Sequence, residues 1–221
     1  MRPFDEIHAI AAERKGGPAA LEALLSHPLP AEELAATSDD RWLSMMARCV
    51  FQAGFSWKVI DAKWPGFETA FDGFAPARVA AYHDDDIDRL LADRGIVRNG
   101  AKFASVIDNA RMVLDLAAAH GSMGRHVAAW PVTDHAGLLA SLARDGSRLG
   151  GGTAQRMLRF MGRDGYVLSP DVTARLIAEG IVAKAPTSKR DMAAVQAAFN
   201  TWMTQSGRGL TQISQVLAFS V

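Results

Sequence analysis

The chain has 221 residues, 49% hydrophobic and 22% charged, an ordinary globular composition able to bury a full core as one domain or two closely packed lobes. Lysine plus arginine equals aspartate plus glutamate, 24 against 24, which excludes a global field drawing the protein to nucleic acid or membrane. One cysteine, Cys49, excludes an intramolecular disulfide and gives no sign of an oxidising compartment.

The first residues, Met1-Arg-Pro-Phe-Asp-Glu, lack the basic-then-apolar pattern of a signal peptide. No run reaches the roughly 18 apolar residues of a membrane span, so a soluble, cytoplasmic protein is expected. Helical spacing recurs along the whole chain and strand-like alternation is nearly absent, which predicts an all-α fold of roughly ten to twelve helices. Ser38-Asp39-Asp40 supplies capping residues ahead of Trp42, Met46, Val50 and Ala53, which fall on one stripe. From Lys102 to Ala119, the residues Phe103, Val106, Ile107, Ala110, Leu114 and Ala117 recur at steps of three and four. This is the strongest amphipathic helix and is predicted to be central.

Asp134 to Arg144 and Thr153 to Met161 form a helix pair around a glycine-rich turn. Ser169-Pro170-Asp171 is a helix start by chemistry: an N-cap hydroxyl, proline at the first position and an acid facing the positive end. Ser188 to Gln205 and Thr211 to Phe219 close the chain, joined by Ser206-Gly207-Arg208-Gly209. Without a repeat or a low-complexity linker, one domain over residues 1–221 is expected. It comprises an N-terminal helical extension (1–38), a core (39–175) and C-terminal helices (176–221).

Three collinear stretches carry a family likeness. The first is Phe51-Gln-Ala-Gly-Phe-Ser-Trp57. The second runs from Phe67 to Ala110 and contains Phe71-x-x-Phe74-x-Pro76-x-x-Val79-Ala80, an acidic helix, Gly95-Ile-Val-Arg98 and Lys102-x-x-x-Val106-x-x-Asn109-Ala110. The third spans Leu142 to Val172 and includes Arg148-Leu-Gly-Gly-Gly-Thr-Ala154. Over roughly residues 40 to 175 the chain resembles the type I 3-methyladenine DNA glycosylases of the helix-hairpin-helix glycosylase superfamily, whose first motif reads Gln-Ala-Gly-Leu-Ser-Trp. The first 38 residues and the last 40 or so lie outside the likeness.

The resemblance implies a helix-hairpin-helix DNA glycosylase-like helical bundle. It also implies a hydrolase, needing no cofactor, that removes an alkylated purine of the 3-methyladenine kind from duplex DNA. A monomer whose partner is duplex DNA containing a damaged base is expected. Two rivals stand beside it: a catalytically silent damaged-DNA-binding protein of the same fold, and a helical protein that binds another protein.

The glycine-rich turn has its own chemistry. Gly150, Gly151 and Gly152 let the chain turn tightly and bring bare backbone N–H groups to a phosphate, while the helix starting near Thr153 adds its positive end. Arg148, Arg156, Arg159 and Arg163 are candidates for the basic surround; the bland alternative is a simple helix–helix turn. At Gly54 a left-handed helix cap would push the next side chain outward. By position in the family, Phe55 would be the wedge that fills the gap left by the extruded base, and Trp57 would stack on that base. As free-standing aromatics, both could equally be core residues. The wedge assignment predicts Phe55 partly exposed beside the hairpin and Trp57 lining a cavity, with Cys49, Phe51 and Gln52 completing the base pocket.

The sequence also departs from the family. Cys49 stands where the family's base-binding glutamate would be, and no nearby acid replaces it; a buried thiol on the apolar stripe is its simpler role. Ser169 falls at the superfamily's catalytic aspartate, a position where the type I family has asparagine. Asp171 and Arg175 occupy two zinc-ligand positions, so no structural metal is expected. Asp171 is the candidate acid or electrostatic stabiliser, with Ser169 beside it; its plainer role is to face a helix N-terminus.

Overall fold

The computed structural model describes residues 1–221 and contains fourteen α-helices, two short 3₁₀ turns and no strand. In chain order these are α1 (Phe4–Lys15), α2 (Pro18–Glu22), α3 (Ala31–Ala36), α4 (Asp39–Gln52), α5 (Trp57–Ala70), α6 (Pro76–Ala80) and α7 (Asp84–Ala92). They continue with α8 (Gly100–His120), α9 (Met123–Ala129), α10 (His135–Asp145), α11 (Gly152–Phe160), α12 (Pro170–Ala178), α13 (Lys189–Ser206) and α14 (Leu210–Phe219). The all-α expectation holds. The extra helices are mostly short ones such as α2, α3 and α6, with too few residues to show a periodicity. No helix is long and apolar enough to cross a membrane.

Three helix starts are closed by a capping side chain. Ser169 Oγ accepts from the Val172 amide at 3.2 Å and Ser188 Oγ from that of Asp191 at 3.0 Å. Asn99 performs the same task for α8, accepting from the Lys102 amide at 3.1 Å. Ser38 precedes α4 in extended conformation but makes no cap bond. Asp39 there turns instead to the Met123 amide at 2.8 Å.

The chain resolves into two compact units. The first comprises Met1–Leu29, Trp130–Leu138 and Gly162–Val221. In it α14 packs on α1, α12 and α13, and Tyr166, Phe199 and Trp202 form a buried aromatic chain with ring centroids 4.5 and 5.7 Å apart. Arg175 is enclosed there: its Nε donates to Ser220 Oγ at 2.8 Å, it donates again to the Ser220 carbonyl, and it pairs with Glu179 at 3.3 Å. Arg175 therefore clamps the last residues of α14 and Ser220 onto α12.

The second unit comprises Pro30–Ala129 and Leu139–Met161. α8 packs against α4, α6, α7 and α9, and α11 against α4, so the helix expected to be central is the hub of its unit, although α4, α7 and α11 segregate their apolar residues more sharply than it does. Its core is a cluster of aromatics. Phe51 lies 4.7 Å from Phe67 and 5.9 Å from Phe103, and Phe74 stacks on both Trp64 and Phe71. Such contacts stabilise beyond the buried area alone.

Candidate nucleic-acid interface

The site in the second unit grows from the end of α4. After Gln52 the backbone leaves the helix at Ala53, and Gly54 takes φ +91°, a conformation other residues rarely adopt. That turn releases Phe55 outward, with 37% of its surface exposed. The carbonyls at the helix end find a donor in Lys102 of α8. Its ammonium donates to Val50 O at 2.8 Å, Ala53 O at 2.5 Å and Phe51 O at 3.4 Å. Lys102 is only 7% exposed and has no carboxylate partner. Burial, then the charge of Arg148, holds it below the ordinary lysine range. The ammonium sits 4.6 Å from the Phe55 ring centroid and so fixes both the turn and the side chain it projects.

Two helical turns further along α8, Asn109 does the same for the glycine-rich turn. It donates from Nδ2 to Ser147 O at 3.1 Å and accepts from the Ser147 amide at 2.7 Å. Beyond it Arg148 is exposed with φ +60°, and Gly151 adopts φ +55°, ψ −134°, which only glycine tolerates. A Cβ added at Gly150 or Gly151 would meet nothing. The amides of Gly150, Gly151 and Gly152 have no acceptor in the chain, so they form an open row of donors at the start of α11. Thr153 differs from expectation. Its amide is engaged by Gly150 O at 3.3 Å and its side chain is enclosed, so it closes the turn rather than facing outward.

The sequence motif contains Lys102 and Asn109 but assigns neither a role. The signal in the sequence is two polar residues on the apolar stripe of α8.

The expected base pocket is corrected in several places. Phe51 is wholly enclosed in the aromatic core, because its position on α4 faces α5 and α8, and it lines no pocket. Gln52 is turned inward as well. Its Nε2 donates to Asp61 Oδ1 at 3.0 Å, an oxygen that also receives Arg48 Nε at 3.0 Å and Nη2 at 2.8 Å. Cys49 is fully buried, and desolvation pushes its thiol up to about 12 despite the opposing charges of Arg156 and Arg48, so it is neutral and unreactive.

Trp57 does not line an enclosed cavity. It opens α5 at the surface, 43% exposed, edge-on to Phe160 at 6.2 Å. The Arg156 guanidinium lies over its ring at 5.7 Å. Of the basic residues, Arg163 is buried in the first unit and donates to Trp130 O at 2.6 Å, so it belongs to the fold and not to a surround of the glycine turn.

Ser169 and Asp171 open α12 in the first unit. The Ser169 hydroxyl is committed to its cap bond, and Asp171 is exposed in the first turn. These residues do not fit a structural zinc ion. Arg175 presents a cation where a ligand would stand, Asp171 is solvent-facing, and no three His, Cys, Asp or Glu side chains gather.

Residues 34–146, just over half the chain, match the sequence profile of a family described as methyladenine glycosylase. DNA-3-methyladenine glycosylase 1 of Escherichia coli (strain K12) is 38% identical over 65 residues, 29% of this chain and 35% of that protein. The matched stretch thus covers about a third of the length of the curated relatives. Among solved structures, 3-methyladenine DNA glycosylase I from Staphylococcus aureus superposes with a TM-score of 0.52 at 22% identity, over 71% of this chain and 91% of that one. The Methanocaldococcus jannaschii 8-oxoguanine DNA glycosylase gives 0.55 at 12% identity, over 96% and 89%. At these identities the likeness is one of fold. It extends to the terminal segments, which the sequence motifs left unassigned.

Proposed function

The chain belongs to the methyladenine glycosylase family, and we propose that it is a DNA repair glycosylase that removes an alkylated purine, 3-methyladenine or a close analogue, from duplex DNA. The observation that carries this is the Lys102–Asn109 arrangement. One helix holds both an outward aromatic, Phe55, and an open row of glycine amides. A phosphate anchored by Gly150, Gly151 and Gly152, with Arg148 beside them, would present the duplex to the wedge in a helix-hairpin-helix manner. Phe55 would then fill the gap left by the extruded nucleotide, and Trp57 would stack on the departing base.

In the bond-breaking step the N-glycosidic bond cleaves and the base takes the bonding electrons. Water adds to the sugar carbon and releases a proton. A cationic methylpurine already leaves readily, so extrusion, desolvation and stacking carry much of the acceleration. We further propose that the protein acts as a cytoplasmic monomer.

The decisive experiment incubates the protein with methylated duplex DNA and measures free methylpurines chromatographically. Release above the uncatalysed rate supports the assignment. A second reading, a damaged-DNA-binding protein without excision, is favoured by one observation: the buried thiol of Cys49 is neutral and can neither accept a base proton nor offset a cation. Tight binding to the lesion duplex without release would select it.

A further inference from the structure

The polar groups around Trp57 are unevenly matched. Arg156 lies over the indole at 5.7 Å, yet none of its nitrogens finds an acceptor, and its Nε is buried without a partner. Its terminal nitrogen reaches to within 3.0 Å of where a Cβ on Gly152 would stand. An enclosed donor left without an acceptor costs stability and calls for an explanation. No carboxylate is available to supply one. Asp61, the acid at the end of this helix pair, already receives three donors from Arg48 and Gln52. The Gln52 carbonyl oxygen is sealed from solvent. Cys49 beneath is a neutral thiol. Around these groups Trp57, Val59 and Phe160 are all exposed large apolar side chains, Phe160 at 48%, the kind of surface that a flat apolar ligand covers.

We propose that Arg156 is a specificity-determining residue: it donates to a ring carbonyl oxygen of the base stacked on Trp57, so that the site prefers an oxo-purine, a methylated guanine, to an amino-purine such as 3-methyladenine. This rests on the glycosylase reading and narrows its substrate. Guanine offers O6, and N7 where that atom is unmethylated, as acceptors to an arginine fork, whereas adenine presents an amino donor at the same edge. An amino group brought there would meet a guanidinium and no acceptor. The loss would fall on both partners, because each would be left unpaired.

The test uses duplex DNA treated with a methylating agent, which carries 3-methyladenine, 3-methylguanine and 7-methylguanine together. Rates of base release are read for the wild type, Arg156→Met and Arg156→Lys. The wild type should release methylguanines in preference to 3-methyladenine. Arg156→Met should lower that ratio about tenfold or more, and Arg156→Lys, with one point charge in place of the fork, should fall between. In parallel, free 3-methylguanine and 3-methyladenine are titrated against each protein by tryptophan fluorescence, a readout independent of excision.

If no base is released by the wild type, the glycosylase reading fails by itself. The inference then stands if free 3-methylguanine binds about tenfold tighter than 3-methyladenine in an Arg156-dependent way, and falls if it does not. Preference for 3-methyladenine in the wild type overturns the inference while leaving the activity intact. Equal weakening of all lesions and of undamaged duplex in Arg156→Met also overturns it, because Arg156 would then serve the phosphate anchor.

Discussion

Phe51 and Phe55 stand one helical turn apart in sequence, and the fold gives them opposite fates, so truncating each to alanine tests the wedge assignment directly. Phe55 keeps 37% of its surface exposed. Fully burying a phenylalanine stabilises by ~1.5–3 kcal/mol, so a ring about two-thirds covered accounts for ~1–2 kcal/mol. The Lys102 ammonium, 4.6 Å from its centroid, adds ~0.5–1 kcal/mol. Together these are ~1.5–3 kcal/mol, so Phe55→Ala should lower Tm by roughly 3–12 °C in a chain of this size. Phe51 is wholly enclosed, 4.7 Å from Phe67, and its truncation leaves a void. That change should cost ~3–5 kcal/mol, lowering Tm by roughly 6–20 °C.

Binding should invert the order. Loss of a base–aromatic stack weakens affinity by ~1–3 kcal/mol, about fivefold to 150-fold, and Phe55→Ala alone should show it. Thermal melts are paired with fluorescence anisotropy on a duplex bearing an abasic analogue, at one fixed salt concentration because phosphate contacts are salt-sensitive. Phe55→Ala melting far below Phe51→Ala, with unchanged affinity when folded, would refute the reasoning.

Lys102→Met keeps side-chain length but removes the donor to the end of α4; amide exchange across residues 54–57 should quicken and abasic-duplex affinity should fall, with Lys102→Arg partly restoring both. Unchanged exchange would show that Gly54 holds the turn without help. Gly150 has open space above it and no positive φ, so Gly150→Asp adds a carboxylate among the free amides without backbone strain. It should weaken binding to all duplex sequences alike with little change in melting; an unaltered affinity returns the turn to a plain helix connection. His126 is held below its ordinary value by burial and then by His120, whose ring is 4.4 Å away. As pH falls through about 6.5 the unfolded chain takes up the proton first, so stability is lost from there downward. His126→Asn should flatten the change in urea midpoint between about pH 7.5 and about pH 5.5; an identical slope would place the acid sensitivity elsewhere.

Local chemistry made much of this protein legible before any fold was known. The α8 stripe, the serine caps of α12 and α13, the helix break at Gly54 and the glycine-rich turn are determined by residues within one or two turns of each other. Covalent geometry and short-range hydrogen bonding are enough to specify them. The outward direction of Phe55 followed from the same local logic.

What the sequence left open depends on residues distant in the chain. Phe51, Gln52 and Cys49 sit within one motif, yet whether each faces a pocket or the core is decided by α5, α8 and α11 closing over them. Lys102 becomes a clamp only because packing carries the end of α4, about fifty residues earlier, onto its ammonium. Arg156 and Trp57 are 99 residues apart, and no periodicity pairs them. Burial and counter-charge are properties of the assembled interior, so the fold alone decides that the one cysteine is neutral and that the Nε of the arginine beside it finds no acceptor.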